Sequence, residues 1–325
     1  ITLFYDKFAD IPLLSRMDAV AETFIDEIET LLNRDLPEDE RIPLIEKFRK
    51  MYETMDFYVL YNRFLKKEGY QTLPRRPLEK RKLRYEDVYP VLYLKYRLSR
   101  QAERSNIKHL VIDEMQDYSR LQYLIIRRMF SCKMTILGDR AQTMADQQQD
   151  VLQFLPGIFG KDLRRIEMRK SYRNTVEIAS YAANLIGVTD LELFERHGIP
   201  VVERDVTDLE AALREAVDTL FPEEKTYETA AVIVPDEKTA ERAYLILREI
   251  LVEKDFDCEK RLSWLNRDSS SFKKGLTVTT FYLAKGLEFD QVFSIFPKDE
   301  KREMMMQAQY IAATRALHEL RVYHI

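Results

Sequence analysis

The N-terminal hundred residues carry apolar side chains at three- and four-residue steps. This spacing places the apolar side chains on one face and predicts amphipathic helices. The first run comprises Met17, Val20, Ala21, Phe24, Ile25, Ile28, Leu31 and Leu32, and the second comprises Ile42, Ile45, Phe48, Met51, Tyr52 and Met55. A third helix is predicted from about residue 86 to residue 98, with Pro90 tolerated in its first turn.

From residue 107 onward, short apolar runs alternate with helical patterns. Strands are predicted at residues 110–112 (a buried strand), 134–137, 164–168, 230–234, 276–281, 292–296 and 320–324. Helices are predicted at residues 119–130, 175–186, 208–220, 237–251 and 301–315. Strands that alternate with helices are typical of an α/β fold with parallel sheets.

The composition is that of a core-forming chain, with 46% hydrophobic and 33% charged residues. A length of 325 residues suggests two or three domains. The sequence has no apolar run of roughly eighteen residues, which argues against a membrane span. The net charge of −4 excludes a strongly basic footprint over the whole chain, although a local basic surface is compatible with it.

The two cysteines, Cys132 and Cys258, lie too far apart for a CxxC metal site or a disulfide framework, and the four histidines form no ligand-spaced cluster. We therefore expect a cytoplasmic protein. The sequence begins at Ile1 without an initiating methionine or a signal-peptide pattern. We interpret it as a piece of a longer chain.

One segment, residues 74–84, is strongly basic. Six of its eleven residues are lysine or arginine and one, Glu79, is acidic. Such a run is usually a solvated loop between helices, and this is the favoured interpretation. The alternative is a contact surface for nucleic acid or for an acidic protein.

The first candidate site follows the predicted strand at residues 110–112. Asp113 and Glu114 come directly after its last residue. Ligand sites in open α/β sheets lie at the carboxyl ends of strands. Asp113 there is a candidate ligand for Mg²⁺, and Glu114 a candidate base for an attacking water. A strand that ends in a solvated acidic turn would give the same pattern.

Two further segments carry phosphate-binding chemistry. Gln142 follows the strand at residues 134–137 through a Gly-Asp turn, where an amide can bind a terminal phosphate and report its loss. Arg173 lies at the start of a helix, and a guanidinium there is suited to charge-assisted contact with phosphate. Ser171 or Asn174 is expected to cap that helix.

The last two segments lie near the C-terminus. The strand at residues 276–281 leads into a turn that contains Lys285 and Gly286, followed by Glu288. Arg315 ends a predicted helix and is a candidate arginine finger for a transferred phosphoryl group. Each segment is weak evidence alone, whereas all five in this order are a specific signal.

Together the five segments resemble motifs II to VI of superfamily 1 helicases of the UvrD/Rep type, over about residues 84–325. The matching residues are Asp113-Glu114-Met115-Gln116-Asp117, Gly138-Asp139 with Gln142, Tyr172-Arg173, Lys285-Gly286-Leu287-Glu288-Phe289 and Ala313-Thr314-Arg315-Ala316. The HelD or helicase IV-like branch is the closer resemblance, carried by Tyr85-Glu86-Asp87-Val88, Leu92-Tyr93-Leu94, residues 107–114 and residues 282–290.

The resemblance implies ATP and Mg²⁺ as cofactors. It assigns Asp113 to the metal and Glu114 to water activation. It places Gln142, Arg173 and Arg315 at the γ-phosphate, as catalytic and nucleotide-binding residues.

In the same way, Gly286 and Glu288 are expected to bind the nucleotide, with Glu288 at the sugar. The expected domains are a helical segment or insertion at 1–105, the C-terminal part of a first RecA-like domain at 106–150, and a complete second RecA-like domain at 151–325.

The sequence departs from this family in several places. A phosphate-binding loop of the form GxxxxGK[ST] is absent, because Gly160-Lys161 is followed by Asp162 and lacks the upstream glycine. We therefore expect this part of the protein to be inactive alone. The resemblance implies that the parent protein is an ATPase. Residues 143–149 contain no aromatic side chain to stack on a base, and Tyr282 stands where DNA-translocating relatives commonly have histidine.

Three functions remain open at this point. The chain belongs either to an ATP-driven DNA helicase or translocase, or to a HelD-like ATPase that binds RNA polymerase and releases it without unwinding DNA. The third function is a non-enzymatic interaction module with the same fold. The expected partners are thus DNA or RNA polymerase, not a membrane, and we expect a monomer.

Overall fold

The structure is a computed structural model that describes residues 1–99, 106–139, 142, 151–160, 163–189, 192–223, 226–254, 257–269, 274–298 and 303–325. The chain divides into two compact units. Unit 1 comprises residues 1–138 and 149–163, and unit 2 comprises residues 139–148 and 164–325.

Unit 1 is mainly helical. Its elements are α1 (Arg16–Leu32), α2 (Glu38–Arg49), α3 (Phe57–Lys67), α4 (Tyr85–Leu98), β1 (His109–Ile112), α5 (Arg120–Met129), β2 (Lys133–Ile136) and α6 (Val151–Phe159). The predicted N-terminal helices are confirmed as α1, α2 and α4, but α2 ends at Arg49 and does not reach Met55. Helix α3 was not predicted, although Tyr58, Tyr61 and Leu65 have helical spacing and form its buried face.

β1 and β2 form a two-stranded parallel sheet packed by α5 and α6. Helix α5 begins at a capping box, in which the Ser119 hydroxyl accepts from the Gln122 N–H and the Gln122 side chain accepts from the Ser119 N–H. Tyr123 of α5 is fully buried and donates to the Met115 carbonyl. This bond ties α5 to the segment that follows β1.

One feature of unit 1 differs from the sequence-based expectation. β1 is not a buried strand, because Val111 is 59% exposed and only Ile112 is buried. The described sheet of unit 1 has just two strands, so it leaves β1 partly uncovered. Helix α6 packs on α5 in unit 1, where Phe154 and Phe159 contact Tyr123.

Unit 2 is built on parallel strands with helices between them. Its elements are β3 (Lys170–Ser171), α7 (Val176–Leu185), β4 (Glu192–Leu193), β5 (Val202–Asp205), α8 (Leu209–Asp218), β6 (Thr229–Val234), α9 (Glu237–Glu253), α10 (Cys258–Arg261), β7 (Leu262–Trp264), β8 (Gly275–Thr280), β9 (Phe289–Phe296), α11 (Glu303–Ala313) and β10 (Ala316–His324). Six strands form one parallel sheet in the order β5-β10-β9-β6-β8-β7, and β3 pairs with β4 separately.

Both faces of the six-stranded sheet are covered, and β6 shows why. Val232 and Val234 point into a core with α8 and α9, while Ala231 and Ile233 point into a core with α7 and α11. A strand buried on both faces requires a continuous apolar run, which residues 229–234 supply. Burial of a side chain such as Ile233 contributes about 1.5–3 kcal/mol.

The predicted α/β class, with parallel sheets and an N-terminal helical segment, is confirmed. The strand predicted at residues 164–168 is wrong. The alternation of apolar and charged residues suggested a strand, but Ile166 and Met168 are 85% and 86% exposed and the segment pairs with no described strand. Among the described helices, none is long and apolar enough to cross a membrane.

Candidate functional site

The carboxyl end of β1 places two carboxylates in a tight turn. Glu114 adopts a left-handed backbone conformation with φ 52° and ψ 48°, which is uncommon for a residue with a β-carbon. Its backbone N–H donates to Asp113 Oδ1 at 2.8 Å, and its Oε2 accepts from the Gln116 side-chain amide at 2.6 Å. Asp113 is exposed, whereas Gln116 is buried. The turn therefore orients both carboxylates at the end of the strand.

The segment after β2 packs directly on this turn. Leu137 donates to the Ile112 carbonyl, and its own carbonyl accepts from the Met115 N–H, both at 2.8 Å. A β-carbon on Gly138 would lie 2.4 Å from Gln116 Oε1 and 2.7 Å from the Met115 nitrogen. Only glycine fits at this position, so Gly138 permits the close approach of the first two sequence motifs.

The donor set at β1 is compatible with Mg²⁺. No cluster of three or more His, Cys, Asp or Glu side chains that could hold a metal occurs among the described residues. Mg²⁺ bound with a nucleotide uses one or two carboxylates together with phosphate oxygens and water, rather than a cage made of protein alone. The exposed Asp113 carboxylate fits that limited requirement.

In unit 2, Arg315 lies at the junction of α11 and β10 and is only 2% exposed. Its Nε donates to the Ile311 carbonyl at 3.2 Å, and its Nη1 donates to the Leu287 carbonyl at 3.4 Å. Its Nη2 donates to Gln142 Oε1 at 3.3 Å, across 173 positions of sequence. The guanidinium thus joins residues of three sequence motifs.

Gln142 is held by further contacts. The side-chain amide of Gln142 donates to Asp139 Oδ2 at 2.9 Å. The backbone carbonyl of Gln142 accepts from Lys285 Nζ at 3.4 Å. The Tyr310 hydroxyl donates to the same Asp139 oxygen at 3.0 Å. Burial, together with the Asp139 carboxylate, raises the pKa of Tyr310 well above its usual range, so the phenol stays protonated.

Sequence reasoning did not single out Asp139, Lys285 or Tyr310 as site residues. Asp139 and Lys285 stood inside recognised motifs, and their types alone were a usable signal. Tyr310 is one apolar position of α11 in the sequence, and its contact with Asp139 spans 171 residues. Nothing local in the chain reveals that contact.

Arg173 and Glu288 form an ion pair, with 2.6 Å between Nε and Oε1. Both side chains are roughly half exposed, so solvent reaches them. Glu288 follows a turn in which Gly286 has φ 82°, a conformation that favours glycine. The pair is accessible and its arginine is available to a more strongly charged anion.

The helix start after Arg173 differs from the prediction. Thr175, and neither Ser171 nor Asn174, caps α7 by accepting from the Ile178 N–H. The buried Asn174 instead donates to the Thr314 carbonyl at 3.2 Å and the Ala316 carbonyl at 2.6 Å. Asn174 therefore fixes the backbone on both sides of Arg315, while being the chain neighbour of Arg173.

A second contact joins the same two segments. The Arg196 guanidinium donates to the carbonyls of Arg173 and Leu317. The structure thus brings Gln142, Arg173, Glu288 and Arg315 into connected parts of unit 2 and places Asp113 and Glu114 in unit 1. Residues 143–149, which lack aromatic side chains, lie outside the described residues.

These residues were compared with known families. Residues 15–144 match the UvrD/REP helicase N-terminal domain. The match spans all of α1 to α5 and includes Asp113, Glu114 and Gln142. It supports the predicted resemblance to a UvrD-like helicase and does not reach the segments that carry Arg173, Glu288 and Arg315.

Several solved structures are similar to the chain. The C-terminal domain of a possible DNA helicase from Lactobacillus plantarum WCFS1 is 24% identical, with a TM-score of 0.37, over 48% of this chain and 88% of that domain. An arterivirus nonstructural protein 10 helicase is 14% identical, with a TM-score of 0.36, over 80% of this chain and 49% of the viral protein.

The same viral helicase in complex with DNA is 15% identical, with a TM-score of 0.36, over 69% of this chain. The chain spans 40% of that protein. It therefore covers less than half of the length of each of the two viral structures. The search of curated proteins found no match.

Proposed function

We propose that this chain is part of a UvrD-like, RecA-type helicase ATPase and that unit 2 senses the terminal phosphate of ATP. The observation that carries the proposal is the hydrogen bond between Arg315 and Gln142, together with the contact of Lys285 with Gln142. Three residue types suited to phosphate, drawn from three separated motifs, meet in one network. An ordinary structural core has no need for such a set.

The proposed roles are those that the resemblance to UvrD/Rep-type helicases implies, and the chemistry of each group supports them. Asp113 would hold Mg²⁺ together with phosphate oxygens, and Glu114 would accept a proton from the attacking water. The bound ATP would supply the transferred phosphoryl group. Arg173 and Arg315 would bind oxygens of the terminal phosphate and stabilise the charge that develops there.

The Arg173–Glu288 ion pair is the resting arrangement in this proposal. A triphosphate carries more negative charge than a carboxylate, and it would draw the exposed Arg173 away from Glu288. Glu288 would then be free to accept a hydrogen bond from the nucleotide sugar, with Gly286 providing the turn beside it. Gln142, already bonded to Arg315, would report whether the terminal phosphate is present.

Hydrolysis is proposed for the full-length protein. The 325 residues contain no GxxxxGK[ST] loop to hold the β- and γ-phosphates. We expect this chain alone to hydrolyse no measurable ATP, and detectable activity that depends on Glu114 would contradict that expectation.

The test of the site uses the full-length protein and two substitutions. Glu114→Gln should abolish turnover while nucleotide still binds, because the amide keeps the shape and loses the base. Arg315→Ala should slow turnover by about 10³-fold or more, as expected for an arginine that acts in the transition state. The matched controls are Glu68→Gln, at the exposed residue that follows α3, and Arg248→Ala, at an exposed position of α9, and both should change little.

We propose that ATP hydrolysis drives movement of the full-length protein on DNA. The alternative is release of RNA polymerase by a HelD-like protein. The sequence favours the alternative in one respect, since residues 143–149 offer no aromatic side chain for base stacking. Stimulation of the ATPase by single-stranded DNA without capture of polymerase supports the first function. Capture of polymerase with poor unwinding supports the second.

A further inference from the structure

The segment between α3 and α4, residues 74–84, is called the basic loop here. The structure divides its six cationic side chains into two groups. Arg81 pairs with Asp56 at 2.6 Å and lies over the Tyr58 ring, with 4.8 Å from its Cζ to the ring centroid. Arg84 pairs with the buried Asp87 at 2.7 Å. These two arginines hold the loop in place.

Other bonds fix the course of the loop backbone. The Tyr58 hydroxyl donates to the Pro74 carbonyl at 2.7 Å, and Arg81 Nε donates to the Arg76 carbonyl at 3.0 Å. Just before the loop, the Asn62 side chain pairs with both the N–H and the carbonyl of Leu73. A solvated connection would not require this number of anchors.

The anchor at the far end of the loop is buried. The Tyr61 hydroxyl donates to Asp87 at 2.8 Å. Burial is the main cause, and this hydrogen bond the second, that raises the pKa of Tyr61 to about 12. Asp87 is 2% exposed and is satisfied by Tyr61 and Arg84 together. Arg84 is thereby fixed at the base of α4.

The remaining four cations have exposed side chains. They are Arg75, Arg76, Lys80 and Lys82, and the loop carries one acid, Glu79, among them. A fixed backbone that presents four cations against one carboxylate attracts a polyanion and loses little conformational entropy on binding it. Exposed Tyr85 begins α4 immediately after the loop and offers a ring for stacking.

We propose that the basic loop binds the phosphate backbone of a nucleic acid without sequence preference. Lysine and arginine are the usual donors to phosphate oxygens. Lysine is depleted in protein–protein interfaces, which disfavours an acidic protein as the occupant. The loop also lies within residues 15–144, the part that matches a helicase domain. The proposal rests on the proposed function for its partner class but uses none of the nucleotide-sensing residues.

The expected magnitude follows from the number of exposed cations. Four phosphate contacts to a single strand give a slope of about −2.8 for log binding constant against log salt concentration. Between 50 and 200 mM salt the affinity should then fall roughly 50-fold. Sites elsewhere on the chain would add to this slope, so the difference between variants is the quantity to measure.

The experiment measures binding of the 325-residue chain to a fluorescein-labelled thirty-nucleotide thymidine strand by anisotropy, over a salt series and without nucleotide. The test variant is R75Q/R76Q/K80Q/K82Q. Its affinity at low salt should fall at least tenfold, and its salt slope should become shallower by about 3. Because all four side chains are exposed, the thermal melting curve should be unchanged.

The control removes the same charge from another surface. K238Q/R242Q/R248Q/K260Q changes four exposed cations of α9 and α10 and should bind as the wild type does. Equal binding by both variants, or no binding by the wild type, overturns the proposal. A loop variant that binds the strand normally but no longer captures RNA polymerase assigns the loop to an acidic protein instead. Unchanged ATPase activity of the Arg315→Ala variant of the full-length protein, with loop binding intact, would count against the proposed function alone.

Discussion

The side chain of Asn174 provides a quantitative test of how unit 2 is assembled. Asn174→Ala removes the amide that donates to the Thr314 and Ala316 carbonyls, and Asn174 is buried. Each lost hydrogen bond contributes about 1 kcal/mol, and a buried carbonyl left unpaired adds a further penalty. We therefore expect unit 2 to lose about 2–3 kcal/mol of unfolding free energy.

The single tryptophan makes this loss measurable for unit 2 alone. Trp264 lies in β7 of the six-stranded sheet, so its fluorescence follows unfolding of unit 2 in urea. With a slope of about 2 kcal/mol per molar urea, the midpoint should fall by roughly 1 M. Asn174→Asp should be worse than Asn174→Ala, because a carboxylate would face two carbonyl oxygens.

The control is Asn184→Ala, which changes an exposed asparagine on the same helix, α7. Its unfolding free energy should stay within about 0.5 kcal/mol of wild type. If Asn174→Ala behaves like this control, the two hydrogen bonds do not hold the Arg315 segment and the reasoning is refuted. In the full-length protein, we expect Asn174→Ala also to lower turnover, since both neighbouring arginines lose their fixed backbone.

Three further predictions test other parts of the chain. Gly138→Ala should destabilise unit 1 by about 1–3 kcal/mol, because the new methyl group would overlap Gln116 and the Met115 backbone; a melting curve like that of wild type would contradict this. The hydrogen bond from His197 is the main cause, and backbone N–H donors a further one, that lowers the pKa of Glu177 from 4.5 to about 2. The ionised Glu177 therefore stabilises the folded state above about pH 4.5, and this contribution is lost as the pH falls toward 2. Glu177→Gln should remove that part of the acid dependence of the Trp264 urea midpoint, and an unchanged profile would exclude Glu177 as its source. Burial alone would raise the pKa of Asp56, but hydrogen bonds from Arg81 and from two backbone N–H groups lower it. Asp56→Asn should weaken nucleic-acid binding several-fold, although it removes no exposed cation. Unaltered binding would show that the Asp56 anchor is dispensable.

The helices and strands of unit 2 were largely predictable because their signal is local. β6 is a continuous apolar run, and a strand buried on both faces requires one. The segment at residues 164–168 shows the limit of this signal. It alternates like a strand, but pairing depends on a neighbour that the local sequence does not specify.

The site residues were predictable by type and motif, whereas their contacts were not. Ser171 or Asn174 was expected to cap a helix because serine and asparagine often do, and Thr175 next to Asn174 is also a favoured cap residue. Which of the two takes the cap depends on carbonyls 140 and 142 positions away. The division of the basic loop into two anchors and four exposed cations likewise depends on Asp56 and Asp87, outside the loop.

The left-handed backbone of Glu114 places conformational strain at the position of the proposed base. A residue with a β-carbon loses about 1–2 kcal/mol in this conformation, and glycine would relieve most of that strain. Glu114→Gly would relieve that strain, but it would also delete the proposed base and take the Oε2 acceptor from the buried Gln116 amide, at a cost of about 1–3 kcal/mol. The side chain that the proposed chemistry needs therefore also offsets, through its bond to Gln116, part of the strain in its own backbone.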